Sequence, residues 1–156
     1  MENLDFRSVQ SKEIVIKPYH EEWREGVIAL WERSVRATHD FLVPSDIDYF
    51  KGIVKGIDFK AFEVFCSFSG SQLTGFAGLS GNKIEMLFID PDYIGKGFGK
   101  ALLQFALEEF NATEVDVNEG NVKAVDFYKK FGFSVYERMP RDSEGKDYPI
   151  LKMKLK

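Results

Sequence analysis

One junction constrains this chain more than any other. An apolar run, Lys83–Ile89 (KIEMLFI), reads as a strand and stops at Asp90-Pro91; the glycine cluster Gly95-Lys96-Gly97-Phe98-Gly99 then runs straight into Lys100–Phe110. In that last segment Ala101, Leu102, Phe105, Ala106 and Leu107 mark a helix with a broad buried face. The first-turn N–H groups of such a helix have no internal partners and carry the positive end of its dipole. Glycines let the backbone approach a bulky anion without a Cβ in the way. The arrangement suits a phosphate or pyrophosphate, and Lys96 and Lys100 add charge. The plain alternative is a glycine-rich turn that merely starts a helix. The nucleotide P-loop does not fit: Gly95 to Gly99 is one residue short, and Ala101 stands where a magnesium-holding hydroxyl belongs. The dinucleotide fingerprint does not fit either. Its third glycine comes one place early, and the loop follows an apparent hairpin rather than opening a β-α-β unit.

Around this junction the periodicity alternates between strand and helix. Glu13–Lys17 predicts a strand, preceded by a loosely attached arm over residues 1–12. From Glu21 to about Ala37, the residues Trp23, Val27, Leu30, Trp31, Ser34 and Val35 follow helical spacing. After Pro44, with Ser45 and Asp48 imitating a capping box, Ile47, Phe50, Val54 and Ile57 form a second stripe. Ala61–Phe68 and Leu73–Leu79 read as a hairpin across Ser69-Gly70-Ser71. Beyond the glycine loop, Glu114–Val117 is a short strand, Asn121–Phe131 a helix closed by Gly132, and Phe133–Arg138 a strand. Tyr148–Lys156 is the last strand, with Leu151, Met153 and Leu155 inward and three lysines outward. The order β-α-α-β-β-β-α-β-α-β-β predicts a mixed sheet with helices on both faces, in one domain over 13–156.

Composition removes several function classes. The 156 residues carry 21 basic and 25 acidic side chains, a net charge of −4. An acidic domain repels phosphodiester backbones and mildly favours cationic, amine-bearing ligands, so no nucleic-acid partner is expected. A single cysteine, Cys66, excludes an intramolecular disulfide, and two histidines, His20 and His39, leave little for zinc, so no metal is expected. No apolar run approaches the length of a membrane span, and the polar N-terminus lacks a signal core; a cytoplasmic location is the simplest expectation. Fifteen Phe, six Tyr and two Trp point to a core, or an apolar channel, built on rings.

A second constellation lies downstream in VDVNEGNVKAVDFYKKFGF. Asn118 follows a strand, Asn121 opens a helix, and Ala124, Phe127 and Tyr128 lie along one face. Together with the glycine loop, this stretch resembles the GCN5-related N-acetyltransferase (GNAT) superfamily, in particular its bacterial small-acceptor members. The likeness is close from about Lys83 to Phe133 and loose over the whole strand-helix order. It implies an α/β fold whose mostly antiparallel, twisted sheet of about seven strands splays between the fourth and fifth. It also implies acetyl-coenzyme A as cofactor, with its pyrophosphate on the backbone of Gly95, Lys96, Gly97, Phe98, Gly99 and Lys100. Pantetheine would lie along Leu87, Phe88 and Ile89, flanked by Asn118 and Asn121 and packed by Phe127 and Tyr128. One departure is Ile94, which occupies the usual Gln/Arg place of the loop.

The resemblance implies direct transfer of acetyl to a primary amine in a ternary complex. Tyr128 is then the general acid, and the backbone N–H of Leu87 is the oxyanion donor. Glu85, mid-strand among apolar neighbours, is the candidate base if burial raises its pKa; a water relay is the alternative. Trp31, His39, Phe41 and Tyr49, on the first helices and the loop between them, are the candidate acceptor contacts. A protein N-terminus, a lysine side chain, a polyamine, an amino acid and an amino sugar all remain open as acceptors, and a homodimer is compatible with the resemblance. The rival function is a non-catalytic acyl-coenzyme A sensor of the same fold.

Overall fold

The computed structural model describes residues 14–156. The arm expected over residues 1–12 and the start of the first strand at Glu13 lie outside the described residues. In chain order the elements are β1 (Val15–Pro18), α1 (Arg24–Thr38), α2 (Pro44–Lys55), β2 (Glu63–Ser69), β3 (Gln72–Ser80), β4 (Lys83–Ile89), α3 (Phe98–Phe110), β5 (Glu114–Asn118), α4 (Val122–Lys130), β6 (Phe133–Met139) and β7 (Ile150–Leu155). Short 3-10 turns precede α1, β2 and α3. The seven strands form one sheet in the order β1-β2-β3-β4-β5-β7-β6. Every pairing is antiparallel except β4 with β5.

Period-2 alternation divides the core into two layers. On one face Val64, Cys66, Phe68 and Phe76 pack under Val27, Leu30, Trp31 and Val35 of α1 and Ile47 and Val54 of α2. On the other, Phe65, Ala77, Leu79 and Ile84 meet Leu102, Leu103 and Ala106 of α3, with Val125 and Tyr128 of α4. The abundant phenylalanines fill both layers. Phe65, for example, stacks on Phe110 with ring centres 5.5 Å apart, and Phe76 lies 5.6 Å from Phe88.

The parallel junction is short. Only Lys83↔Glu114 and Ile84↔Val115 pair. This base is pinned: the Asn82 carbonyl accepts from the N–H groups of Thr113 (2.8 Å) and Glu114 (3.2 Å), and Lys83 Nζ lies 2.6 Å from Asp116 Oδ2. Directly above it Gly78 pairs with Met86 while Leu79 pairs with Ile84, so Glu85 is the extra residue of a bulge. A bulge bends its strand and strengthens the local twist. From Glu85 onward β4 leaves β5, which is the splay expected between the fourth and fifth strands.

Two local expectations change. The capping box at Ser45 and Asp48 does not form. Pro44 occupies the first turn of α2 behind Val43, with no side-chain cap, and Asp48 instead receives Arg36 at 2.9 Å. Proline at this position needs no cap for its missing N–H. The last strand begins at Ile150 rather than Tyr148, because the Tyr148 hydroxyl is drawn to α2, donating to Asp46 Oδ2 (2.5 Å) and accepting from the Val43 N–H (3.3 Å).

Gly75 of β3 lies opposite Ile89, where β4 hands over to the glycine loop. A Cβ there would stand 2.9 Å from the Phe88 carbonyl oxygen and 2.7 Å from Ile89 Cδ1. Backbone cannot yield cheaply, so Gly75→Ala is expected to cost about 1–3 kcal/mol, read as a lower midpoint in urea unfolding. An unchanged midpoint would contradict this strand spacing.

Candidate active site

Where β4 and β5 part, a cleft of about 810 Å³ opens. Four segments wall it: Leu87, Phe88 and Ile89 of β4; the glycine loop with the start of α3; the start of α4 with Phe127 and Tyr128; and Ser34 to Asp40 at the end of α1.

The loop has the geometry that anion binding requires. Gly95 and Gly97 hold φ of +82° and +92°, which side-chain-bearing residues rarely adopt. Gly97 is the N-cap of α3, its carbonyl accepting from the Ala101 N–H at 3.0 Å. No N–H from Gly95 to Lys100 meets hydrogen-bond geometry with another described residue. Six consecutive donors therefore lie unpaired at the positive end of a 13-residue helix. Gly95, Gly97, Gly99 and Lys100 line the cleft. The side chains of Lys96 and Phe98 turn elsewhere: Lys96 Nζ sits 5.5 Å from the centre of the Tyr93 ring, and Phe98 is buried edge-on against Tyr93. Both face a separate polar cavity bordered by Arg33 and Asp90, so Lys96 adds less charge to the cleft than its position in the sequence suggests. Ile94, in the place usually held by Gln or Arg, is exposed at the cleft wall.

Across the cleft, Tyr128 is buried and lines the cavity, and its hydroxyl has no hydrogen-bond partner among the described residues. Burial pushes the phenol well above its ordinary pKa, so it stays protonated. Phe127 sits beside it with ring centres 5.2 Å apart. Asn121 lines the cleft, but its side-chain oxygen caps α4 by accepting from the Ala124 N–H at 3.2 Å. Asn118 does not line it. Its carbonyl accepts from the Asn121 N–H at 3.0 Å and so shapes the turn that brings α4 to the cleft. Glu85 departs from expectation. As the bulge residue it is exposed, and the apolar enclosure required of a base is missing.

The four acceptor candidates separate. His39 is buried on the cleft wall, its ring 6.4 Å from Phe88 and 5.3 Å from Phe41. Phe41 stands flat against Gly120, where a Cβ would come within 2.7 Å of its ring, and it meets Tyr148 edge-on. Neither ring lines the cleft; Phe41 backs Gly120, which does. Trp31 is core rather than site: 6% exposed, it packs between α1 and the sheet, edge-on to Phe88. Tyr49 is exposed outside the cleft, donating to Glu144 Oε1 at 2.8 Å and lying under Lys146. Ser34, Thr38 and Gly120 also line the cavity. Nothing in their sequence context marks them; only the approach of α1 to the β5–α4 turn does.

Comparison with known proteins agrees with this geometry. The family model described as an acetyltransferase (GNAT) domain matches residues 48–156. Over 134 residues the chain is 41% identical to the peptidyl-lysine N-acetyltransferase YjaB of Salmonella typhimurium, covering 86% of this chain and 92% of that protein. The same identity holds for YjaB of Escherichia coli, of which 90% is covered. The solution structure of apo YjaB from Escherichia coli superposes with a TM-score of 0.83 at 38% identity, covering 90% of this chain and 96% of that one. The fold is shared with PaiA N-acetyltransferase of Thermoplasma acidophilum, solved in complex with coenzyme A, at a TM-score of 0.70 and 22% identity over 90% of this chain and 98% of that one. No helix among the described residues is long and apolar enough to cross a membrane. The chain belongs to the GNAT family of acetyltransferases, and it is an acyltransferase enzyme.

Proposed function

We propose that this enzyme moves the acetyl group of acetyl-coenzyme A onto a primary amine by direct attack in a ternary complex, with the side chain of a peptidyl lysine as acceptor. One observation carries the reading: the N–H groups from Gly95 to Lys100, free among the described residues, border a cleft between two parting strands that is also lined by a buried phenol with no partner among them. The residues fit the cofactor on that ground. The backbone of Gly95 to Lys100, with the Lys100 ammonium, would hold the pyrophosphate. Residues 85–89 of β4 have no strand on their β5 side and would take the extended pantetheine as a peptide augments a sheet edge. When bound, the cofactor supplies an activated acyl thioester.

The chain's own groups then have separate tasks. A backbone N–H of the bulged strand, assigned to Leu87, would be the donor to the thioester carbonyl oxygen. The Tyr128 phenol, kept protonated by burial, would act as the acid by giving a hydrogen bond to the departing sulfur. With Glu85 exposed, water carries the amine proton out of the cleft. An acyl-enzyme on cysteine has no support. Cys66, the single cysteine, is fully buried away from the cleft, and burial pushes its thiol up to about 12. The lysine acceptor is supported by the YjaB relatives at 41% identity and by the net charge of −4, which attracts a cationic side chain.

Gly97→Glu sets a side chain on a φ of +92° and a negative charge where the pyrophosphate would lie. Acetyl-coenzyme A affinity, measured by calorimetry, is expected to disappear while the fold melts cooperatively; retained affinity would refute the loop assignment. Tyr128→Phe is expected to lower kcat on the order of 10²-fold with acetyl-coenzyme A affinity nearly unchanged. Full turnover would remove Tyr128 as the acid. Coenzyme A release in the presence of lysine-containing peptides tests the reaction itself, and cofactor binding without release on any amine would support an acyl-coenzyme A sensor instead.

A further inference from the structure

The end of α1 fixes the protonation pattern of one buried histidine. Thr38 Oγ1 lies 2.7 Å from the Ser34 carbonyl oxygen and 2.7 Å from His39 Nδ1. A hydroxyl carries one proton, and a carbonyl oxygen can only accept. Thr38 therefore donates to Ser34, and its oxygen meets Nδ1 as an acceptor. Nδ1 must then bear the ring hydrogen, which leaves a lone pair on Nε2 of the neutral imidazole. Nε2 has no partner among the described residues. Yet His39 is only 9% exposed and lines the cleft with Phe88 and Tyr128. Burial lowers its imidazolium to about 4 against a smaller opposing pull from Asp40, so the ring is neutral at neutral pH. A buried acceptor with no donor is rare in folded proteins, and here the residue that carries it lines a cavity.

We propose that His39 Nε2 is the hydrogen-bond acceptor for the nucleophilic nitrogen of the acceptor amine, held in that role by Thr38 and Ser34. The inference rests on the transfer reaction proposed above and adds a specificity rule to it. A neutral acceptor can take an N–H from either a neutral amine or an ammonium. It does not stabilise the ammonium as a carboxylate would, so the reactive lone pair stays available for attack. An amine with no N–H to give gains nothing from the site, which therefore favours nitrogens that keep a hydrogen while they attack. Tyr128 and His39 then divide the cleft: the phenol gives a hydrogen and the imidazole receives one.

The tautomer is tested first, on the wild-type chain without ligand, by long-range proton–nitrogen NMR of its two histidines. The expected spectrum shows His39 protonated at Nδ1 only; a proton on Nε2 overturns the proposal. Two variants then separate the ring's two nitrogens. His39→Asn retains a donor near Thr38 but lacks an acceptor at the Nε2 position; His39→Gln reaches that position with a carbonyl oxygen. For a lysine peptide, kcat/KM is expected to fall about 10-fold or more in His39→Asn and to recover in part in His39→Gln. The dissociation constant of acetyl-coenzyme A should stay within about twofold of wild type in both. Unchanged kcat/KM in both, or a loss of acetyl-coenzyme A affinity matching the loss of rate, overturns the proposal. Should His39→Asn fail to fold, Thr38→Val removes the acceptor for Nδ1. It is expected to produce the same amine-specific loss and a mixed tautomer, and wild-type kcat/KM for the peptide in that variant overturns the proposal. Failure of the reaction itself is distinct: wild-type protein would then bind acetyl-coenzyme A and release no coenzyme A with any peptide, whatever the tautomer.

Discussion

Everything functional in this molecule depends on a strand pair that stops pairing. β4 and β5 run parallel for two residue pairs, Lys83↔Glu114 and Ile84↔Val115, and then separate. The base cannot slide, because Asn82 accepts from two consecutive backbone N–H groups of β5's approach and Lys83 reaches Asp116. The bulge at Glu85 bends β4 just above that anchor. Normally an unpaired inner strand edge is a liability that invites another strand. In this fold the edge faces a cavity, and the starts of two helices, α3 and α4, close over it.

The same burial gives the cleft two opposite polar groups. An apolar surrounding disfavours whichever form of a side chain is charged. For Tyr128 this raises the phenol pKa; for His39 it lowers the imidazolium to about 4. Both are therefore neutral at neutral pH, one as donor and one as acceptor. Charged side chains line the cleft at three places: Lys100 beside the N–H groups of the glycine loop, Lys123 at the start of α4, and Asp40 after α1. A site divided in this way suits a reaction that brings an anionic carrier to one end and must leave an amine nucleophilic at the other.

The segments behind the β5–α4 turn are held by long-range ties. Tyr148, just before β7, bonds to Asp46 of α2 and to the Val43 N–H, and Lys146 Nζ lies 3.0 Å from Asp46 Oδ1. These contacts hold the β6–β7 loop against α2 and set Tyr148 edge-on to Phe41, which leans on Gly120. Three segments distant in sequence thus meet behind Gly120 of the cleft wall, while Thr38 and Ser34, in the wall itself, orient His39.

The sequence by itself determined the alternation of elements, the division of apolar residues between two sheet faces and the glycine loop that opens a helix. Each of these is local: period 2 or period 3.6, glycines where φ turns positive, a helix start with unsatisfied donors. Local patterning also placed Tyr128 on the apolar face of its helix. Only the tertiary structure decided which side chains enter the cleft. Lys96 and Phe98 belong to the loop in sequence, yet their side chains turn to Tyr93 because consecutive residues entering a helix point in different directions. Trp31 was consumed by the core and Tyr49 by a contact with the distant Glu144. The bulge that leaves Glu85 in solvent depends on pairing between two strands, and no single strand reveals it. The role of His39 is the clearest case. Its tautomer follows from two oxygens one helical turn apart, and its isolation follows from the approach of β4; neither leaves a mark in the residues next to it in the chain.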